Sequence, residues 1–87
     1  MPIVRMYSTQ VCPYCMMAER LLNKKGVHLE KILVDQDPEE LKKMIELSGR
    51  RTVPQIFVGD HHVGGYDDLV ELDIQGELDP LLRITTS

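Results

Sequence analysis

Apolar residues are grouped along the chain in short runs that have the length of β-strands. Ile3–Tyr7 is a mostly apolar run typical of a central strand, and Leu29–Val34 and Pro54–Val58 are similar in length and composition. The turn residues Gly59–Asp60 follow the third run, and His62–Gly64 then has the length of a short returning strand. The pattern therefore predicts four strands, the last two of which form a hairpin.

The two segments between the first three strands carry the start and stop signals of helices. A proline fits the first position of the helix Pro13–Lys25, because its missing N–H has no partner there, and Gly26 can end that helix. Asp37 is a suitable N-cap for a second helix that begins at Pro38 and ends at Gly49. Each crossover between successive strands is therefore expected to be helical.

Two more helical segments follow the hairpin, Tyr66–Ile74 and a final helical turn over Asp79–Leu82. The order of elements is therefore β-α-β-α-β-β-α. A helical crossover makes the first two strands parallel, whereas a hairpin makes the last two antiparallel. The sequence predicts an α/β fold in which helices flank a four-stranded mixed sheet.

The composition is that of a single globular domain spanning residues 1–87. Hydrophobic residues make up 43% and charged residues 28% of the chain, a balance that argues against disorder. The net charge of −4 argues against nucleic acids and membranes as partners, because both attract a basic surface. Apolar runs are too short to span a membrane, and Met1–Arg5 lacks the basic start and apolar stretch of a secretory signal. We expect a monomeric cytoplasmic protein.

The two cysteines, Cys12 and Cys15, lie at the start of the first predicted helix. Residues three apart on a helix are neighbours, and a modest adjustment of the first turn brings them to the separation of a disulfide. Cys12 falls at the N-cap, where free N–H groups and the helix dipole stabilise a thiolate. The pattern predicts Cys12 as the attacking nucleophile and Cys15, one turn deeper, as the less exposed resolving thiol.

Two other interpretations of this pair stay open. One is a pair of incidental buried thiols. The other is a metal site, but zinc needs four ligands, and the other soft donors in the sequence are His28, His61 and His62. We interpret these histidines as solvated residues of a loop and a hairpin tip, and we expect no metal. Redox chemistry is favoured, because a close cysteine pair in a cytosolic chain is typical of it.

Three motifs, in this order and at these spacings, resemble the glutaredoxin family and in particular its small bacterial dithiol members: Cys12-Pro13-Tyr14-Cys15, Arg51-Thr52-Val53-Pro54 and Gly64-Gly65-Tyr66-Asp67-Asp68. The resemblance covers essentially the whole chain, and three motifs together are far more specific than any one of them. It implies a thioredoxin-like fold and the reduction of glutathione mixed disulfides and protein disulfides. Glutathione is then the co-substrate and electron donor, with no tightly bound cofactor.

The implied partners are glutathione itself and glutathionylated or disulfide-containing proteins, with ribonucleotide reductase as one candidate. The resemblance also implies a binding site for glutathione. Its residues are Pro13, Tyr14, Arg51, Thr52, Val53, Pro54, Gly65, Tyr66, Asp67 and Asp68.

Pro54 corresponds to the family's cis-proline, which turns the Val53 backbone toward Cys12 so that an extended substrate can pair with it. Its alternative is an ordinary trans proline at a strand start. The Gly64–Gly65 segment lets the ligand approach the backbone closely, and the helix that follows offers N–H donors to the γ-glutamyl carboxylate. Hairpin geometry alone is the other explanation for these glycines.

Most of the remaining side chains have two interpretations. Asp67 and Asp68 either accept a hydrogen bond from the ammonium group of glutathione or only cap the helix. Tyr14 is expected to wall the site, and Tyr7 either joins it or packs in the core. Arg51, with Arg50 beside it, attracts an anion or lies in a solvated loop.

The sequence departs from the family pattern at two positions. Thr9 stands three residues before Cys12, where the family commonly has lysine. Leu41 stands where the second helix commonly carries a basic or amide residue that reaches the glycine carboxylate of glutathione. We therefore expect either that glutathione binds more weakly or that Lys42 or Arg51 supplies the missing positive charge.

Two other functions remain in competition with glutathione-dependent reduction. One is a glutaredoxin-like electron donor that thioredoxin reductase reduces, which the departures at Thr9 and Leu41 favour slightly. The other is a dimer that carries an iron–sulfur cluster through Cys12 and glutathione, which the stiffness of Pro13 disfavours. An anaerobically purified protein that absorbs visible light would support the carrier.

Overall fold

The computed structural model describes residues 3–83. The strands of this part of the chain are β1 (Val4–Ser8), β2 (Leu29–Leu33), β3 (Gln55–Val58) and β4 (His61–Gly64). Its helices are α1 (Pro13–Lys24), α2 (Pro38–Ser48), α3 (Tyr66–Ile74) and α4 (Leu78–Leu81). The predicted order of elements is confirmed, and the final helical turn is present as α4. Within residues 3–83 no helix is long and apolar enough to cross a membrane.

The four strands form one mixed sheet in the order β2-β1-β3-β4. β1 pairs in parallel with β2, and β3 pairs antiparallel with β4, as the crossover and the hairpin predicted. β1 also pairs antiparallel with β3, with Tyr7 opposite Gln55. This central pairing places the start of α1, which follows β1, beside the start of β3.

The buried side chains of β1 belong to two layers of the core, because successive residues of a strand point to opposite faces of a sheet. Val4 and Met6 pack with residues of α1 and α3 on one face, including the fully buried Leu22 and Leu69. On the other face Tyr7 packs with residues of α2 and β3. The mixed sheet is therefore covered by helices on both faces, as expected.

The β3–β4 hairpin contains an irregularity that the sequence pattern did not predict. Ile56 pairs with Gly64 but Phe57 pairs with His62, so Val63 has no partner in the register. An extra residue of this kind is a β-bulge, which bends a strand and changes the direction of its side chains. The bulge sets His62 directly opposite Phe57.

Candidate functional site

Cys12 and Cys15 lie at the N-terminus of α1 and are joined by a disulfide bond, with their Cα atoms 5.2 Å apart. Cys12 is the N-cap, as predicted, and its Sγ accepts a hydrogen bond from the backbone N–H of Cys15 at 3.1 Å. Cys12 is 8% exposed and Cys15 3% exposed. A sulfur held against the first N–H groups of a helix is in the position that stabilises a thiolate after reduction.

A groove of about 290 Å³ adjoins the pair at Tyr14, which lies between the two cysteines in the sequence, although neither cysteine lines it. Its volume is just below the roughly 300–1,000 Å³ typical of small-molecule sites. Its walls are the segment before β3, the start of α3 and the Tyr14 ring. The lining residues are Tyr14, Arg50, Thr52, Val53, Pro54, Gly65, Tyr66, Asp67 and Asp68, with Gln55 behind them. Most of the binding residues implied by the resemblance are thus brought together, except Pro13 and Arg51, which do not line the groove.

The aromatic wall of the groove is formed by two tyrosines from different helices. Tyr14 is the second residue of α1 and is 59% exposed. Its ring centroid is 6.1 Å from that of Tyr66, the first residue of α3. Tyr7, in contrast, is 1% exposed and meets Phe57 edge to face, with ring centroids 5.8 Å apart. Of the two interpretations of Tyr7, the structure supports core packing.

Val53 offers unpaired backbone groups to the groove. Its side chain packs against both layers of the core, which anchors the residue. Within residues 3–83 no hydrogen bond to its backbone N–H or C=O is found. The peptide bond between Val53 and Pro54 is cis, as the resemblance implied, and Pro54 is buried. An extended peptide can pair with such free backbone groups as an added strand does.

Asp68 organises the opposite wall at the start of α3. Its Oδ2 accepts a hydrogen bond from the Gly65 N–H at 2.9 Å and another from Arg50 Nη1 at 3.0 Å. The Gly65 N–H, and to a lesser extent Arg50, lower the pKa of Asp68 below its ordinary value of 3.8. Asp68 is therefore an ionised capping residue, whereas the exposed carboxylate of Asp67 remains directed to solvent at the groove.

The arginine that lines the groove is Arg50 and not Arg51. Arg50 is the one cation among the lining residues, and its guanidinium forms an ion pair with Asp68. Of the two departures from the family pattern, Thr9 donates a hydrogen bond to the Val11 carbonyl at 3.4 Å. Leu41 and Lys42 are on the exposed side of α2 and do not line the groove.

The expectation that His62 is solvated was wrong, whereas His61 and His28 are exposed. The His62 ring stacks on Phe57, with centroids 4.8 Å apart and planes at 30°. Its Nε2 lies 2.8 Å from Oε1 of the fully buried Gln55. Burial, and then the charge of Arg50, lower the pKa of His62 below its ordinary 6.5, so the imidazole is neutral at pH 7.

Sequence reasoning missed Gln55 and His62 as parts of the site. The available signal was the amide of Gln55 inside the otherwise apolar run Pro54–Val58. A polar side chain at an inward position needs hydrogen-bond partners, because a buried unpaired amide is costly. Its partners lie on other segments, so the run by itself did not identify them.

The substitution Asp68→Asn is expected to lower the free energy of unfolding by about 1 kcal/mol at pH 7, the size of one hydrogen bond in a partly exposed setting. A carboxylate whose pKa is lowered by folding stabilises the protein above its ordinary pKa of 3.8, and that contribution is lost as the pH falls through the folded value. Urea unfolding of both proteins from pH 7 to pH 2 should therefore show a difference that shrinks below pH 3.8. Asp67→Asn removes a neighbouring first-turn carboxylate that forms no hydrogen bond or ion pair within residues 3–83, so it is the matched control for the lost charge at the start of α3 and should cost less than Asp68→Asn. An equal cost in the two variants would contradict the role of the Asp68 hydrogen bonds.

Known proteins that are similar to this chain in sequence are glutaredoxins. The sequence profile of the glutaredoxin family matches residues 4–63. A glutaredoxin of Neisseria meningitidis serogroup A is 53% identical over 84 residues, which cover 95% of this chain and 99% of the relative. Glutaredoxin 3 of Escherichia coli K12 is 48% identical over 80 residues, covering 92% and 96% of the two chains.

Solved structures confirm the thioredoxin-like α/β fold. The solution structure of glutaredoxin from Brucella melitensis superposes with a TM-score of 0.84 at 45% identity, covering all of this chain and 95% of that one. A crystal structure of a buckwheat glutaredoxin–glutathione complex superposes with a TM-score of 0.86 at 29% identity, covering 94% and 77%. Because the matches in sequence and in structure extend over nearly the whole chain, the chain belongs to the glutaredoxin family of thiol–disulfide oxidoreductases.

Proposed function

We propose that this glutaredoxin reduces glutathione mixed disulfides and protein disulfides, using glutathione as its electron donor in the reducing environment of the cytoplasm. The observation that carries this proposal is the free backbone of Val53, which lies across the groove from the start of α3. A tripeptide with a carboxylate and an ammonium group at one end fits such a groove.

Each end of the groove matches one part of glutathione. The backbone of its cysteine pairs with the free N–H and C=O of Val53. Its γ-glutamyl carboxylate accepts hydrogen bonds from the first N–H groups of α3, which have no partner inside the helix. The ammonium group of the same residue faces the exposed carboxylate of Asp67. This orientation directs the sulfur of glutathione to Cys12.

The reaction follows from the different positions of the two cysteines. The Cys12 thiolate attacks the glutathionyl sulfur of a mixed disulfide, and the substrate thiolate leaves. A second glutathione thiolate attacks the resulting mixed disulfide on Cys12, which releases glutathione disulfide and restores the Cys12 thiolate. With a protein disulfide, Cys15 instead attacks the mixed disulfide on Cys12, releases the reduced protein and forms the Cys12–Cys15 disulfide. Two glutathione molecules then reduce that disulfide.

One feature of the groove favours a second function, that of an electron donor reduced by thioredoxin reductase. Arg50 is the one cation among the lining residues, and Asp68 already neutralises it. Thr9 adds no charge. A groove without a free cation has less attraction for the two carboxylates of glutathione than the family pattern provides.

The rate at which each reductant restores the dithiol distinguishes the two functions. The oxidised protein is mixed with glutathione, or with thioredoxin reductase and NADPH, and free thiols are followed over time. We expect glutathione at cytoplasmic concentration to reduce the protein faster, with dithiothreitol as the control for an accessible disulfide. Faster reduction by the reductase would favour the second function.

Thr9→Lys is expected to strengthen the interaction with glutathione modestly. An ammonium group three residues before Cys12 stabilises both the thiolate and a nearby carboxylate. At a partly exposed site the gain should stay within about 1 kcal/mol and should shrink with salt. The ultraviolet absorbance of the thiolate against pH measures the first effect, and turnover against glutathione concentration at two ionic strengths measures the second. If neither the titration of the thiolate nor the dependence on glutathione concentration changes, a charge at position 9 does not reach the bound carboxylate or the Cys12 sulfur, and the interpretation of the departure at Thr9 is wrong.

A further inference from the structure

The segment Thr52–Pro54 carries the substrate-facing backbone of the groove but belongs to no helix or strand. Besides the packing of Val53 against the core, a buried side chain outside the segment holds Thr52 by hydrogen bonds. The Nε2 of Gln55 donates to the Thr52 carbonyl oxygen at 3.0 Å and to Thr52 Oγ1 at 3.3 Å. Gln55 has 0% exposure, so it supports the wall from behind and does not contact a ligand.

The oxygen of the same Gln55 amide determines which ring nitrogen of His62 carries the proton. The amide nitrogen of Gln55 is directed to Thr52. The amide oxygen of Gln55, Oε1, is therefore the atom that faces His62 Nε2, at a distance of 2.8 Å. An amide oxygen only accepts hydrogen bonds, so Nε2 of the neutral imidazole must carry the proton. The structure therefore assigns a donor role and one tautomer to His62.

His62 is itself fixed by the geometry of the hairpin. The bulge at Val63 places His62 opposite Phe57, and the two rings stack. Gln55 and Phe57 are two residues apart on β3 and share one face of the sheet. A continuous series of contacts therefore runs from Phe57 through His62 and Gln55 to Thr52, which directly precedes Val53.

We propose that Gln55 and His62 are positioning residues, which hold Thr52 and thereby orient the free Val53 backbone to receive the substrate. This inference rests on the proposed function, because it assumes that substrate pairs with Val53. Within residues 3–83 their hydrogen bonds go to Thr52 and to each other, and none goes to Cys12 or Cys15. Their loss is expected to change substrate affinity and to leave the Cys12 thiolate intact.

The substitution His62→Phe keeps a ring for stacking on Phe57 and removes the hydrogen-bond donor to Gln55. We expect the KM for a glutathionylated peptide to rise about three- to tenfold, the range for one lost hydrogen bond, with kcat retained. The alkylation rate of Cys12 by iodoacetamide should stay at the wild-type value. His62→Gln restores an N–H donor and should return the KM to within about twofold of wild type. His61→Phe, at the exposed neighbour, is the matched control and should change neither constant.

A measurement independent of activity tests the same contacts in the wild-type protein. Nitrogen-15 NMR of the imidazole at neutral pH should show the tautomer with the proton on Nε2 of His62. The side-chain amide protons of Gln55 should exchange slowly with solvent, and faster in His62→Phe. The proton on Nδ1 would overturn the inference, as would an unchanged KM in His62→Phe or an equal loss of kcat and alkylation rate. If wild type does not use glutathione but the NMR result holds, the proposed function fails and the hydrogen-bonded support of Thr52 stands.

Discussion

Replacement of Cys12 by serine is expected to reduce every disulfide reductase activity of this protein to the uncatalysed rate. The reaction requires a thiolate at the N-cap of α1, where the sulfur meets the first N–H groups of the helix. A serine hydroxyl stays protonated at neutral pH and does not attack a disulfide. Turnover of a glutathionylated peptide and of a protein disulfide, each measured with glutathione as reductant, should both be lost.

Cys15→Ser is the matched control, and it should separate the two substrate classes. The hydrogen bond to the Cys12 sulfur comes from the backbone N–H of Cys15, and a change of side chain leaves this donor in place. Exchange on a small glutathionylated substrate should therefore persist, since free glutathione resolves the intermediate. Most activity on protein disulfides should disappear, because the second thiol is gone. If Cys15→Ser alone abolished exchange on the small substrate, the assignment of attacking and resolving cysteines would be wrong.

A second large effect is expected from Gly64→Ala, at the junction of β4 and α3. Gly64 has a φ of 116°, a backbone conformation that residues with a side chain rarely adopt. A Cβ at this position would collide with the Asp68 carboxylate. The backbone term alone costs about 1–3 kcal/mol. Displacement of Asp68 also disturbs its hydrogen bonds to Gly65 and Arg50. We expect a lower urea midpoint together with a higher KM for glutathionylated substrate.

Gly59→Ala separates the two effects of Gly64→Ala, the collision with Asp68 and the cost of placing a side chain on a backbone with positive φ. Gly59 lies in the turn of the same hairpin with a φ of 58°, and a Cβ there meets no atom within 4 Å. This variant should lose about 1–2 kcal/mol of stability from the left-handed backbone and keep the wild-type KM. An equal rise of KM in both glycine variants would show that the effect of Gly64→Ala does not act through Asp68.

Local signals were sufficient to predict the position of the cysteine pair. Pro13 at the first helical position and the short strand before it predicted that Cys12 is the N-cap of α1, and the structure places it there. Asp37 likewise caps α2 through the N–H groups of Glu39 and Glu40. Capping and turn preferences act over three or four residues, so the chain near each helix start contains all the information that determines it.

The cis peptide bond before Pro54 and the grouping of the three motifs followed from the resemblance to a family and not from residue chemistry. The structure brings these motifs to one groove, because the central β1–β3 pairing sets the start of α1 beside the start of β3. That pairing joins segments some fifty residues apart, so no local pattern indicates it.

By itself the sequence determined the order of helices and strands, the location of the two cysteines at a helix start and the family to which the chain belongs. Only the tertiary structure decided that Arg50 and not Arg51 lines the groove, and that His62 is half-buried against Phe57. The reason is physical. Hydrogen-bond and capping preferences are encoded within a few neighbouring residues, whereas the direction of a side chain depends on strand register, on the bulge at Val63 and on packing between distant segments.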